Sequence, residues 1–222
     1  MQALAFSGGK DSWACFYLLR EQLDCAIYVD TGFAYPEIGT HVERIAQMLP
    51  LHIVTSDRQA QNQQEGIPSD VVPVEWTPLG QRMTHRKTVT IQPSLSCCYA
   101  NLARPLLAKA HELGVTHLVY GQRADESHRG VARDGDMIEG ITRLHPIEDW
   151  TQKRVLDYIA TQMEVPAHFA LTHSSLDCYD CTAYRQQSQD RLDWTKDRYP
   201  DFYEAYMIRQ TALQTALQEA LQ

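Results

Sequence analysis

No stretch of the 222 residues approaches the roughly 20 consecutive apolar residues that a membrane-spanning helix needs, so no membrane span is expected. The first residues carry neither a basic lead nor a small-residue cleavage pattern, so no secretion signal is read and a cytoplasmic protein is expected. Positive charge is scarce: 20 Lys and Arg stand against 28 Asp and Glu, a formal net charge of −8. A surface built to hold nucleic acid non-specifically needs clustered cations, and the balance argues against one. One local basic stretch remains, Arg82, His85, Arg86 and Lys87. The dinucleotide fingerprint G-x-G-x-x-G and the zinc pattern H-E-x-x-H are both missing, and there is no internal repeat. His168 and His173 flank a loop near two cysteines but read as solvated or structural histidines.

What is present is an alternation of short apolar runs and helical patterns. Residues 2 to 6 read as a strand, and 11 to 22 as a helix with Trp13, Phe16, Tyr17 and Leu19 among its apolar positions. A second strand at 25 to 29, a helix over 36 to 48 and a third strand at 51 to 55 follow. Strand–helix alternation is the mark of a parallel α/β sheet. Residues 56 to 95 break the rhythm with four prolines and no clear period, so the stretch reads as a functional flap or a partly disordered segment. Order returns with a helix from 98 to 113, closed by Gly114, and a strand at 116 to 121. A hairpin, a helix starting at Thr151 and a helical, Ala/Leu/Gln-rich tail complete the expected order.

Between the first strand and the first helix lies Ser7-Gly8-Gly9-Lys10-Asp11-Ser12. A Gly-rich loop opening a helix offers backbone N–H groups and the positive helix end to a phosphate. The Walker A pattern fails here, because Leu4 stands where it needs glycine and Asp11 where it needs Ser or Thr. The hexapeptide resembles, at every position, the pyrophosphate loop (PP-loop) of the adenine nucleotide α-hydrolase superfamily. Three further stretches resemble the phosphoadenylyl- and adenylyl-sulfate reductases within it: Asp30-Thr31-Gly32 after the second strand, Gly121-Gln122-Arg123-Ala124-Asp125-Glu126-Ser127, and Pro146 to Thr151 leading into a helix.

That resemblance covers about residues 3 to 185 and implies a twisted, mainly parallel sheet with helices on both faces. It implies a nucleotide-binding domain over 1–185, with 186–222 as a helical extension packed on it. The phosphates of ATP, APS (adenylyl sulfate) or PAPS (phosphoadenylyl sulfate), with Mg²⁺ as a candidate companion, would meet Ser7 to Ser12. Asp30, Thr31, Gly32, Gly121, Gln122, Arg123, Asp125 and Ser127 would line the rest of the site. Lys10 and Arg123 are the expected catalytic cations.

The six cysteines divide unevenly. Cys15 falls within a helix and Cys25 starts a strand, so core packing is expected for both. Cys97-Cys98 and Cys178-x-x-Cys181 are pairs, and their order resembles the 4Fe–4S site of the adenylyl-sulfate branch; four thiolates are the usual ligand set for that cluster. Two departures accompany the likeness. The basic Arg-Lys step that follows the cysteine pair in those reductases is Asn101-Leu102 here, and no cysteine follows Cys181, where those enzymes carry a nucleophile in a Cys-Gly-Leu-His tail. The expected function is an adenine-nucleotide-binding enzyme resembling adenylyl-sulfate reductase, with a thioredoxin-like or other electron donor and a homo-oligomer as candidate partners. Two rival readings are an ATP pyrophosphatase in sulfur transfer to nucleic acid and a non-catalytic nucleotide-binding cluster subunit.

Overall fold

The structure, a computed structural model, describes residues 1–126, 133–172, 175–183 and 189–221. In chain order the elements begin with β1 (Gln2–Ala5), α1 (Lys10–Leu19), β2 (Cys25–Asp30), α2 (Pro36–Ala46) and β3 (Leu51–Thr55). Next come α3 (Arg58–Glu65), β4 (Ile67–Ser69), α4 (Pro78–Thr84) and β5 (Ile91–Pro93). Helix α5 (Ser94–Cys98) runs through a π-helical turn (Tyr99–Ala103) into α6 (Arg104–Glu112), which leads to β6 (His117–Val119). The chain closes with β7 (Met137–Ile138), β8 (Ile141–Leu144), α7 (Gln152–Ala160), α8 (Ala167–Leu171), α9 (Gln189–Arg198) and α10 (Pro200–Glu219).

Two compact units share these elements. The first comprises Met1–Asp30, Tyr35–Val54 and Pro105–Ala170; the second comprises Thr31–Ala34, Thr55–Arg104 and the described part of Leu171–Gln222. The first unit holds a six-stranded sheet in the order β3-β2-β1-β6-β8-β7. β1 pairs in parallel with β2 and β6, and β6 with β8, while β7 runs antiparallel in a hairpin with β8. The chain steps outward from β1 to β2 to β3, then returns past β1 to β6. Right-handed crossovers therefore put helices on opposite faces for the two directions. The mainly parallel α/β sheet expected from the sequence is what forms.

Burial explains why the strands read as near-continuous apolar runs: Cys25 to Val29 are all buried, as in a sheet covered on both faces. Trp13 is fully buried in the core with Leu4, Phe16, Ile45, Val119, Val155 and Ile159, and it meets Phe6 edge-on at 5.2 Å. Its indole Nε1–H donates to His41 Nδ1 at 3.1 Å, and His41 Nε2 lies 3.2 Å from His168 Nε2. Because the indole can only donate, His41 is a neutral ring protonated at Nε2, which donates onward to His168. His168 is thus part of a buried ring pair with His41; His173 lies outside the described residues.

Burial, then the neighbouring His168 and Arg44, lower the His41 pKa to about 4, against a smaller opposing effect of Glu37. A histidine depressed in the fold binds its proton more readily when unfolded. Stability therefore falls as pH drops from about 6.5 towards 4, by on the order of 3 kcal/mol in all. His41→Gln, which keeps an acceptor for Trp13, is expected to flatten that part of the melting-temperature–pH profile. An unchanged slope would refute the assignment.

Residues 56 to 95 are not an irregular flap. Asp57 caps α3 by accepting from the Ala60 N–H at 2.9 Å, and Thr77 caps α4 from Gly80 at 3.0 Å with Pro78 in its first turn. Polar helices anchored by such caps carry no strong apolar period, which is why the sequence pattern hid them. β4 and β5 form a separate two-stranded parallel sheet. Trp76 and Ile91 are buried against Leu213 and Ala216 of α10 in a core belonging to the second unit. The helix expected from 98 begins earlier, at Ser94, so the cysteine pair sits one turn inside it.

Candidate functional site

In the loop after β1, two glycines do different work. Gly8 has φ +76°, a region that glycine enters without strain, and a Cβ there would lie 3.2 Å from Ile38. Gly9 is extended and, having no side chain, caps α1 without a side-chain hydrogen bond to the helix's leading N–H groups. Ser12 Oγ donates to the Gly9 carbonyl at 2.8 Å, and the Gly9 N–H reaches Ser7 Oγ at 3.4 Å, which folds the loop on itself.

The loop after β6 meets the first turn of α1. A Cβ on Gly121 would stand 2.7 Å from the Asp11 carbonyl carbon and 2.9 Å from the Ser12 nitrogen, so only glycine fits without moving backbone. Arg123 is 1% exposed, and its Nε donates to Asp11 Oδ1 at 2.7 Å while Nη1 pairs with Asp125. Asp11 Oδ2 lies 3.4 Å from Lys10 Nζ. One carboxylate thus spans both expected catalytic cations, an arrangement no motif spacing revealed. The two loops follow adjacent parallel strands on either side of the sheet's topological switch, where open α/β sheets bind ligands. Asp30 ends β2 half-buried, Gln122 is exposed, and Ser127 lies outside the described residues.

Thr31 and Gly32 belong to the second unit. Thr31 Oγ1 donates to the Asp177 carbonyl at 3.0 Å and lies 3.7 Å from Cys178 Sγ, so its hydroxyl serves the cysteine segment. Gly32 has φ +73° and open space where a Cβ would be. Cys178 and Cys181 close a turn through the Cys181 N–H to the Cys178 carbonyl at 3.3 Å. Cys97 is buried and Cys98 half-buried. Asn101, in the π-helical turn, donates to the Cys97 carbonyl at 2.9 Å and reaches its sulfur at 3.6 Å. Burial pushes the Cys97 thiol up, with Arg58 and Asn101 opposing, and burial pushes Cys178 far up, with Arg58 again opposing. Cys15 and Cys25 are buried as expected, and burial raises both thiols, helped by Asp11 and Asp24 respectively.

Among the described residues, no group of three or more His, Cys, Asp or Glu is arranged to hold a single metal ion. The chemistry of the donor set nevertheless fits a thiolate-bound cluster. Cys97, Cys178 and Cys181 all lie within electrostatic reach of one buried cation, Arg58. Among the described residues the Arg58 terminal nitrogens make no aligned hydrogen bond, although Arg58 lies close enough to Cys97 to favour its thiolate. A buried positive charge of this kind matches anionic sulfur better than neutral thiols.

Fold and loops define a PP-loop α/β protein whose two motif loops meet at the switch between β1 and β6. The family model of the phosphoadenosine phosphosulfate reductase domain matches residues 2–184, and the chain belongs to that family. It is thus an adenine-nucleotide-binding PP-loop protein. No curated protein matches it in sequence. Among solved structures, it is similar to the phosphoadenylyl-sulfate reductase of Candida auris in a phosphate complex, with 16% identity, 72% of each chain covered and a TM-score of 0.48. A predicted subunit of a tRNA methyltransferase from Methanocaldococcus jannaschii shares 15% identity over 91% of this chain and 90% of that one, with a TM-score of 0.43. FMN adenylyltransferase of Candida glabrata, with FMN and the ATP analogue AMPCPP, shares 14% identity over 73% of this chain and 48% of its own, with a TM-score of 0.41.

Proposed function

We propose that the protein is an enzyme resembling adenylyl-sulfate reductase, which receives the phosphates of ATP, APS or PAPS at Ser7 to Ser12 and carries a 4Fe–4S cluster on Cys97, Cys98, Cys178 and Cys181. The observation that carries the nucleotide reading is Asp11, tied to Lys10 at 3.4 Å and to Arg123 at 2.7 Å at the carboxyl end of the sheet. The uncapped first turn of α1 receives phosphate oxygens through its N–H groups. Arg123 offers a planar fork to phosphate or sulfate. Its partner Asp125, 43% exposed, is the carboxylate an incoming anion displaces, while Asp11 keeps both cations aimed. Asp30, Gly121 and Gln122 border the nucleotide, and Mg²⁺ accompanies its phosphates. When bound, the cluster supplies a sulfur-ligated redox centre.

A second reading has one observation in its favour. With four cysteines assigned to iron, Cys15 and Cys25 remain, and both are buried. Attack by an acceptor at the α-phosphorus of ATP needs no cysteine: the acceptor–phosphorus bond forms, the α–β bridging bond breaks and pyrophosphate leaves. Separate assays for sulfite and pyrophosphate release distinguish the two readings.

Calorimetry with ATP, APS and PAPS tests the shared nucleotide site. Binding of at least one is expected, and Lys10→Ala is expected to weaken it roughly 10- to 100-fold, since a charge-assisted hydrogen bond contributes about 1.5–3 kcal/mol. Absence of binding, or an unchanged Lys10→Ala variant, overturns the assignment.

A further inference from the structure

Arg58 has no place in the family motifs, yet it is among the largest fully enclosed side chains, 2% exposed. It opens α3, where the Asp57 cap fixes the helix start. Its guanidinium lies over the Phe33 ring at 4.4 Å and 2.7 Å from Asp180 Oδ1. That close contact is poorly directed, since neither Nη1 nor Nη2 of Arg58, nor Asp180 Oδ1, makes an aligned hydrogen bond. Asp180, between the two cysteines of the Cys-x-x-Cys segment, also pairs with Arg209. Two guanidinium groups therefore share one carboxylate, and with protonated thiols this cluster keeps one unmatched positive charge. Through Asp180 the charge stands beside the Cys-x-x-Cys turn, and its field acts on the Cys97, Cys178 and Cys181 thiols.

We propose that Arg58 is the positioning cation of the four-cysteine site: it offsets the negative charge of the sulfur ligands and takes over the role of the basic step absent at Asn101-Leu102. The inference rests on the cluster reading above. Asn101 contributes a neutral donor to Cys97, assisted by its own bond to Gln61 Oε1 at 3.1 Å. Gln61 in turn exchanges hydrogen bonds with Gln92, at 2.8 and 3.1 Å. Asn101 is thereby held in place, but it carries no charge. Arg58, by contrast, is an enclosed, full positive charge that acts on three of the cysteines. Charge and hydrogen bonds at the sulfurs set both ligand hold and reduction potential. A cation favours the reduced, more negative state.

The test compares wild type, Arg58→Met and Arg58→Lys, each purified without oxygen. Methionine keeps an unbranched stem against Phe33 and leaves Asp180 paired with Arg209. Loaded Arg58→Met is expected to lose iron to a chelator at least tenfold faster than wild type. Its midpoint potential is expected to fall by about 59 mV, a tenfold shift in a one-electron equilibrium. Arg58→Lys, which restores charge without the planar fork, is expected to recover most of both. In the metal-free protein the sign reverses: Arg58→Met melts at or above the wild-type temperature, because an unmatched buried charge has gone. A merely structural Arg58–Asp180 bridge predicts a lower melting temperature in the metal-free variant and an unmoved potential; either result overturns the inference. Wild-type iron content separately tests the cluster reading: a colourless wild type sinks that reading, whereas either result just named, obtained beside a wild type that loads iron, sinks this one.

Discussion

Protein purified without oxygen is expected to be brown, with about four irons and four inorganic sulfides per chain, and Cys178→Ser or Cys181→Ser is expected to abolish both. The argument rests on how the ligands are carried. Cys97 and Cys98 are neighbours in helical backbone, and successive helical residues point about 100° apart at 3.6 residues per turn. Two adjacent side chains so splayed close awkwardly round one tetrahedral ion, and structural zinc sites use C-x₂₋₄-C spacing instead. A cubane has several iron corners, and adjacent thiolates can each take a different one. The π-helical turn directly after the pair, a feature frequent at functional sites, turns Asn101 back onto Cys97. A colourless protein with one zinc per chain would overturn the assignment.

How far the sequence revealed this site depended on the kind of signal each residue carried. Strand β2 was legible because a parallel strand buried along its length is an unbroken apolar run, and the loop after β1 because its positive-φ turn calls for glycine. Thr151 announced its helix by a cap, and its side chain accepts from the Arg154 N–H at 3.3 Å. The pairing of Arg123 with Asp11 was not legible, since 112 residues separate them and only the adjacency of β1 and β6 brings them together. Arg58 was hidden for a different reason. It lies in the stretch whose prolines and polar helices carry no period, so this enclosed cation looked like part of an irregular flap. Thr31 fell within a recognised motif, but its hydroxyl bonds the segment around Cys178, a partner 146 to 147 residues away.

The 222-residue chain is expected not to release sulfite from APS or PAPS with thioredoxin as reductant. Reduction of this kind begins when a thiolate attacks sulfur: a sulfur–sulfur bond forms, the sulfur–oxygen bond to the nucleotide phosphate breaks, and the electron pair leaves on that phosphate. The six cysteines in the sequence offer no free nucleophile once four hold iron. Cys15 is wholly enclosed in α1, its sulfur 3.6 Å from the Tyr120 carbonyl, and burial with Asp11 nearby pushes its thiol far above the ordinary range. Cys25 is 1% exposed at the start of β2, its thiol likewise raised by burial and then by Asp24. A nucleophile must present a thiolate to its substrate, and both residues fail on protonation and on access. Nucleotide binding is unaffected by this deficit, so the expected result is saturable binding without sulfite. Sulfite release at about 1 s⁻¹ or faster would overturn the expectation, and loss of that release in Cys15→Ala or Cys25→Ala would then identify the thiol responsible.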